Sequence, residues 1–462
     1  MNGNQSITEI RNLPVGKMLV YLSWPVILSL VVQGLYSLVD SIWLARLGEQ
    51  VLSAVSLSQV VQSLVSALLM GIATGMNAII SRSLGAGDYD SAKDAVMSGC
   101  AIQALFAAAF MACGIWMVPA YFMRSTTDAA VAALGVSYLR PGLLAAAIVA
   151  AQITSERLLQ ATGLSRYILV SQAIGSVVNL VLDPIFIFGL IGCPKLGIAG
   201  AAYATIIGQL IALLLSLYLN WKKNQALVSG CWKRRINAQV MARIAYIGIP
   251  TAMVGITASI GNYFINRLLI SFTATANAAF GVYIKLQSVA ILPSMGFNAG
   301  LVTMFSFYLG RRDLTRIRST LKWGAVYVGG WCTICAAAFI FFPHLLMQPF
   351  SPTESMRSIG LPAFRIIGLT YLLSGYMTVL NSFYQATGRS MLSFVVCASR
   401  LIVVRVPVAV WLASMRQISL IWWCWPISEV VSDMVSAVCF IIAYKNLVQA
   451  LSPKFGEKAR SA

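Results

Sequence analysis

Along most of the chain apolar residues run on for twenty or more positions, and the polar residues gather in short stretches between these runs. A helix needs about 20 apolar residues to cross the hydrocarbon core of a bilayer, so the pattern predicts membrane-spanning helices rather than a water-soluble core. Twelve spans are expected. Those of the first half lie at about 19–44, 51–80, 95–122, 129–159, 167–190 and 198–219, and those of the second at about 244–271, 277–308, 323–346, 361–384, 391–413 and 420–444. The fold class expected is therefore all-α and polytopic.

Composition supports this reading: 59% of the 462 residues are hydrophobic and only 10% charged. The first sixteen residues are polar and the first apolar run outlasts a signal peptide's, so no cleavable signal is expected. A net charge of +19 invites a nucleic-acid reading, but the basic residues sit mostly in loops between spans. One set of loops carries Arg82, Lys93, Arg166, residues 222–243, residues 311–322 and Arg389; the other holds only Arg46, Arg124, Lys195, Arg357 and Arg416. The positive-inside rule then places both termini on the cytoplasmic side of the membrane, and a bacterial cell membrane is the expected location. The nine cysteines fall mostly inside apolar runs, Cys332 and Cys335 within one span, and are expected to pack rather than pair or bind metal. No P-loop is present, and His344, the single histidine, lies near an outer helix end.

The halves repeat. At a constant spacing of 225 residues Pro25 matches Pro250, Gly71 matches Gly296, Gly75 matches Gly300, Gly85 matches Gly310, Arg140 matches Arg365, and Gln160-Ala161-Thr162-Gly163 matches Gln385-Ala386-Thr387-Gly388. Each half has an even number of spans, so two six-helix lobes related by an axis along the membrane normal are expected. The domains follow: 1–16 as a cytoplasmic N-terminus, 17–220 as the first lobe, 221–243 as a basic linker, 244–446 as the second lobe and 447–462 as a tail. A path between the lobes, opened alternately to each side, is the expected substrate route.

Asn179 and Asp183 stand four residues apart in the fifth span and share a helix face. With Asp40 of the first span and Thr205 of the sixth they form a polar set that the second half lacks, its counterparts being Ile265, Val404, Val408 and Val430. Intramembrane acids are costly and usually face a bundle interior or a wet cavity. Two carboxylates, an amide and a hydroxyl are hard oxygen ligands that suit a small cation and equally hold a proton; the alternative is a set of pins holding three helices together. The second half has a private set of its own, Lys285, Arg400, Arg405, Glu429 and Asp433, readable as a buried salt-bridge network or as a relay or substrate contact. Glu156 and Arg157 lie near the end of the fourth span, where long side chains snorkel to the interface, and Glu156 is a further candidate for gating or proton entry.

These residues resemble a family. LYSLVDSIWLARLG, GIATGMNAIISRSLGAGD, LLQATGLS, NLVLDPIFIFGLIG, GIAGAAYAT and KLQSVAILPSMGFNAGLVTMFSFYLG are similar to segments of the multidrug and toxic compound extrusion (MATE) transporters, over nearly the whole chain. In the DinF-like branch an Asp of the first helix, an Asn and an Asp of the fifth and a Thr of the sixth form a cation site, and Asp40, Asn179, Asp183 and Thr205 match them. The NorM-like branch relies on acids in helices seven and ten, which carry none here. The resemblance implies export of cationic or amphipathic small molecules, driven by inward Na⁺ or H⁺, with the first helix bending as Asp40 takes the ion. No cofactor and no nucleic-acid partner are expected, no enzymatic activity since no nucleophile–base pair or metal cluster can be assembled, and a monomer in the lipid bilayer since each chain contains a complete two-lobed pathway. A flippase or exporter for lipid-linked or polyanionic substrates would share this fold, and Lys285, Arg400 and Arg405 keep that alternative open. A major-facilitator transporter lacks support, since its basic pattern between the second and third spans is missing from RSLGAGDYDSAK.

Overall fold

The structure, a computed structural model, describes residues 13–451. Residues 1–12 and 452–462, most of the N-terminal segment and of the tail, lie outside the described residues. Helices and their connections make up the described chain, with no strand among the described residues. The spans are α1 (Val15–Ala45), α2 (Glu49–Ala86), α3 (Tyr89–Trp116), α4 (Ala129–Leu144 and Ala146–Ala161, bent by 48°), α5 (Ser165–Phe188) and α6 (Ile198–Lys223). They continue as α7 (Ala238–Phe272), α8 (Ala274–Gly310), α9 (Leu314–Phe341), α10 (Glu354–Gly368 and Tyr371–Ala386, bent by 46°), α11 (Ser390–Ser414) and α12 (Ile418–Leu451). Ten helices are long and apolar enough to cross a membrane, and twelve spans result when each bent pair counts as one.

The repeat extends to helix boundaries and caps. Moved by 225 residues, α3 falls on α9 from first residue to last, and Ala146–Ala161 falls on Tyr371–Ala386. Asp88 caps α3 by accepting from the Ser91 N–H (2.9 Å), and its counterpart Asp313 caps α9 through the Arg316 N–H (2.9 Å). The Ser91 hydroxyl also donates to Asp88 (2.6 Å), and these two donors hold the Asp88 carboxyl below the usual carboxylate range. Just before it α2 ends at Gly87 (φ 78°), whose N–H and that of Asp88 reach back to Leu84 and Ser83. The second copy makes the same turn with Arg312 at φ 56°, a residue type that pays a steric penalty there. The start of α10 was hidden in the sequence by Glu354 and Arg357; the helix begins there because the Thr353 hydroxyl accepts from the Met356 N–H (3.3 Å).

Two compact units emerge. One holds Tyr21–Ala252, the other Pro14–Val20 with residues 253–451, so each unit includes the opening turns of the other's first helix. Lipid tails are as apolar as leucine, so helices in a bilayer associate mainly through close backbone contact at small residues. In the first unit a Cβ on Gly71 would lie 2.5 Å from the Gly248 carbonyl oxygen, and one on Gly75 would lie 2.5 Å from that of Ile244. The basic connection after α6 is fastened to this unit: Arg234 pairs with Asp90 and Asp94, and the Asn237 N–H donates to Ser98 (3.2 Å). All nine cysteines are free. Pro25, Pro184 and Pro250 lie inside helices, where a proline removes a backbone donor. Pro426 instead occupies the first turn of the helix Cys424–Leu451, where its missing N–H has no helical partner to lose, so it is not a kink.

The close α2–α7 contact gives a testable outcome. Gly71→Val should lower the thermal midpoint of the detergent-purified protein, by an amount corresponding to roughly 1–3 kcal/mol of overpacking. Gly142→Ala, where an added Cβ meets nothing within 4 Å, should leave it unchanged in the same melt.

Candidate functional site

In the first unit α5 and α6 cross at two glycines. A Cβ on Gly175 would lie 2.7 Å from the Gly208 carbonyl oxygen, and one on Gly208 would lie 2.7 Å from that of Gly175 and 3.0 Å from Asn179 Cβ. This approach sets Asn179, one turn beyond Gly175, against Thr205, three residues before Gly208. The Asn179 amide donates to Asp183 Oδ1 (3.3 Å) and to Thr205 Oγ1 (3.2 Å). Asp183 is fully buried, and α1 brings Asp40 within its electrostatic reach. Tyr36, one turn before Asp40, and Tyr138 of α4 both lie within the electrostatic reach of the two acids. The end of α1 is held in place by apolar packing of Leu44 with Val51, Tyr138, Ile187 and Ala201, and by Trp43 edge-on to Phe188 at 5.9 Å.

The site is rich in acceptors. Asp40 Oδ1, Asn179 Oδ1 and Asp183 Oδ2 are buried and none receives a hydrogen bond. Unpaired acceptors in an apolar interior are costly, and a bound cation or a proton on a carboxylate relieves that cost. Beside them a cleft of about 20 Å³ is lined by Tyr36, Gln152, Gln172, Ser176, Asn179 and Thr205 among others. That is room for a water molecule or an ion and not for a drug-sized ligand.

Glu156 is not at the interface, contrary to the snorkelling expectation. It is 8% exposed and turned into the bundle, where Gln152 Nε2 donates to Oε1 (3.2 Å) and Gln172 Nε2 to both oxygens (3.0 Å each). Its neighbour Arg157 points elsewhere, to Gln160 and the Met70 sulfur. Sequence reasoning passed over Gln152, Gln172 and Tyr36. Helical spacing carries the signal for each: Gln172 lies seven residues before Asn179 on α5, Tyr36 four before Asp40, and Gln152 four before Glu156.

In the second unit the structure gathers four of the five singled-out charges. Glu429 is 2% exposed and joins Arg400 Nη1 (2.9 Å), Arg405 Nη2 (3.8 Å) and the Ser374 hydroxyl (3.1 Å). Arg405 also donates to Ser428 (3.1 Å) and stacks over Trp425 at 5.4 Å. Asp433 lies in the field of Arg400 and Glu429, its two oxygens buried and without a hydrogen-bond partner. Residues Ser399–Val404 of α11, which carry Arg400, form a π-helical turn. Lys285 stands apart: it is exposed, with its ammonium 5.9 Å from the Phe350 ring centroid, so it is not a member of this network.

Residues 25–185 and 250–411 match the family model MatE, once in each half and at the spacing of the repeat. The chain belongs to the MatE family. Among the relatives of this MatE protein, an FAD transporter of Shewanella oneidensis is 25% identical over 404 residues, covering 86% of this chain and 88% of that protein. A probable multidrug resistance protein NorM of Thermotoga maritima is 21% identical over 451 residues, covering 96% and 94%. In fold, the chain is similar to a MOP superfamily transporter from Pyrococcus furiosus, with a TM-score of 0.88 at 21% identity over 97% of this chain and 99% of that one. The MatE protein is thus a multi-span membrane protein whose relatives are transporters.

The second-unit network separates bonded from unbonded charge. Glu429→Gln leaves the buried Arg405 and the half-buried Arg400 short of a counter-charge, and the loss is expected to be roughly 3–5 kcal/mol. Asp433→Asn has no hydrogen bond to break and should melt close to wild type. Thermal unfolding followed by the detergent-solubilised fraction compares the two.

Proposed function

We propose that this MatE protein is a secondary efflux antiporter. It exports cationic or amphipathic organic compounds by alternating access and is driven by inward movement of H⁺ or Na⁺. The coupling ion binds at Asp40, Asn179, Asp183 and Thr205 in the first lobe. The observation that carries this reading is the convergence of three buried acceptor oxygens, one from each of Asp40, Asn179 and Asp183, with no donor supplied to any of them. A set of structural pins would be expected to satisfy its own acceptors. Relatives named as multidrug resistance proteins support the class of cargo. Both termini are placed in the cytoplasm of a cell membrane by the loop charges, and the chain acts as a monomer.

A second reading, export of an anionic compound, is favoured by the relative named as an FAD transporter and by the Arg400 side chain, 25% exposed, with a buried Nε that lacks a partner. Arg400 would then exchange its bond to Glu429 for a bond to the anion.

Proteoliposomes loaded with a fluorescent cationic dye, or with FAD, test both readings under an imposed Na⁺ gradient and separately under a pH gradient. Wild type should export the dye under one gradient, which identifies the ion. Asp40→Asn and Asp183→Asn, with unchanged thermal midpoints, should lose that gradient-driven export by at least about tenfold, as expected when a coupling group cannot ionise. Wild-type rates in both variants would remove the first-lobe site from the mechanism, and transport of FAD alone would favour the second reading.

A further inference from the structure

We propose that Glu156, Gln152 and Gln172 form a second monocation site in the first lobe, reached through the same cleft as the Asp40–Asn179–Asp183–Thr205 cluster. It deepens the coupling reading and rests on it for a role in transport, though not for ion binding itself.

Glu156 sits in a polar turn of α4, beside Thr154, Ser155 and Arg157, and is more than nine-tenths buried. A carboxylate kept only to pin helices has a cation beside it in Arg157, yet that guanidinium is spent on Gln160 and Met70. Two neutral amides hold Glu156 instead, Gln152 from its own helix and Gln172 from α5. An amide offers two faces. Its NH₂ solvates a carboxylate, and after a half-turn of the same group its carbonyl oxygen accepts the proton of the neutral acid or coordinates Na⁺. One frame can therefore serve the empty and the loaded state. An arginine, which has no acceptor, could not do this. Among the described residues Arg157 is the charged group acting on Glu156, and the side chain that reaches it from α5 is neutral.

The cleft supplies the connection. Gln152 and Gln172 line it together with Ser176, Asn179 and Thr205. Along α5 the polar residues Gln172, Ser176, Asn179 and Asp183 recur every three or four positions and so share one face. Gln172 and Asp183 are eleven residues apart, about 16 Å along the helix axis, too far for one ion to touch both, so the two clusters are separate stations on one polar track.

Difference infrared spectra of the purified protein in nanodiscs test this, following the carboxylic-acid carbonyl stretch as pH is lowered without Na⁺ and as Na⁺ is added at fixed pH. Wild type should show an acid band that is absent from Glu156→Gln and retained in Asp40→Asn. Loss of that band on adding Na⁺ assigns the site to Na⁺ as well as H⁺; insensitivity to Na⁺ assigns it to H⁺ alone. Should Glu156→Gln fold poorly, Gln172→Leu keeps the acid but removes its amide, and should displace the titration midpoint of the same band by about one pH unit. In proteoliposomes Glu156→Gln should bind the dye as wild type does while losing gradient-driven export. Identical spectra for wild type and Glu156→Gln overturn the second site, and the coupling reading then stands or falls on Asp40→Asn alone. Wild-type export by Asp40→Asn together with a Glu156 band removes the coupling reading and leaves the second site in place.

Discussion

Backbone contact between α5 and α6 at Gly175 and Gly208 is the constraint on which the first-lobe site depends. In lipid there is little hydrophobic force to press helices together, so the distance between their backbones is set by the smallest residues at the crossing. With two glycines stacked, the Asn179 amide can bridge within its own helix to Asp183 and across to Thr205 at once. The amide uses both of its donors in that bridge and leaves its oxygen, with one from Asp183 and one from Asp40, facing inward unpaired. The chemistry proposed for this site therefore follows from a packing fact about two residues that carry no chemistry themselves.

Duplication followed by divergence explains the second lobe. At the repeat spacing, Gly175 and Gly208 correspond to Arg400 and Asp433. Where the first lobe has a bare crossing, the second has a long cation facing an acid, with Glu429 and Arg405 added beside them. Side chains of that size cannot occupy a glycine crossing. Helix α11 is π-helical through Ser399–Val404, an irregularity that places an extra residue in one turn where the helix must accommodate Arg400. The same crossing is thus closed by absence of side chains in one lobe and filled by mutually compensating charges in the other.

Much of this was legible in the sequence because it depends on spacing along one chain. The repeat spacing anticipated helix limits as well as motifs, down to the matching of α3 with α9, and the four-residue step from Asn179 to Asp183 was enough to place both on one face. Residues whose role depends on the rotation of one helix against another were harder to read. Lys285 looked like a partner of Arg400 and Arg405 on charge alone, but nothing in its own stretch of chain says that it faces away from them. Glu156 looked interfacial from its distance to the end of α4; the 48° bend between Leu144 and Ala146 and the amide of Gln172 on another helix turn it inward.

The two lobes resolve the same problem of buried charge in opposite ways, and the difference bears on which one responds to ions. In the second lobe the protein supplies its own cations: two guanidinium groups share Glu429, and Asp433 stands in the field of one of them. Such a set is close to neutral as it stands, and admitting a further cation would upset its balance. In the first lobe no arginine or lysine is bonded to Asp40, Asp183 or Glu156 among the described residues, and the neighbours are amides, hydroxyls and phenols. Asp40 and Asp183, with no cation among the groups that act on them, remain uncompensated until a positive charge arrives from solution. The coupling proposed for the first lobe rests on this asymmetry more than on any single residue.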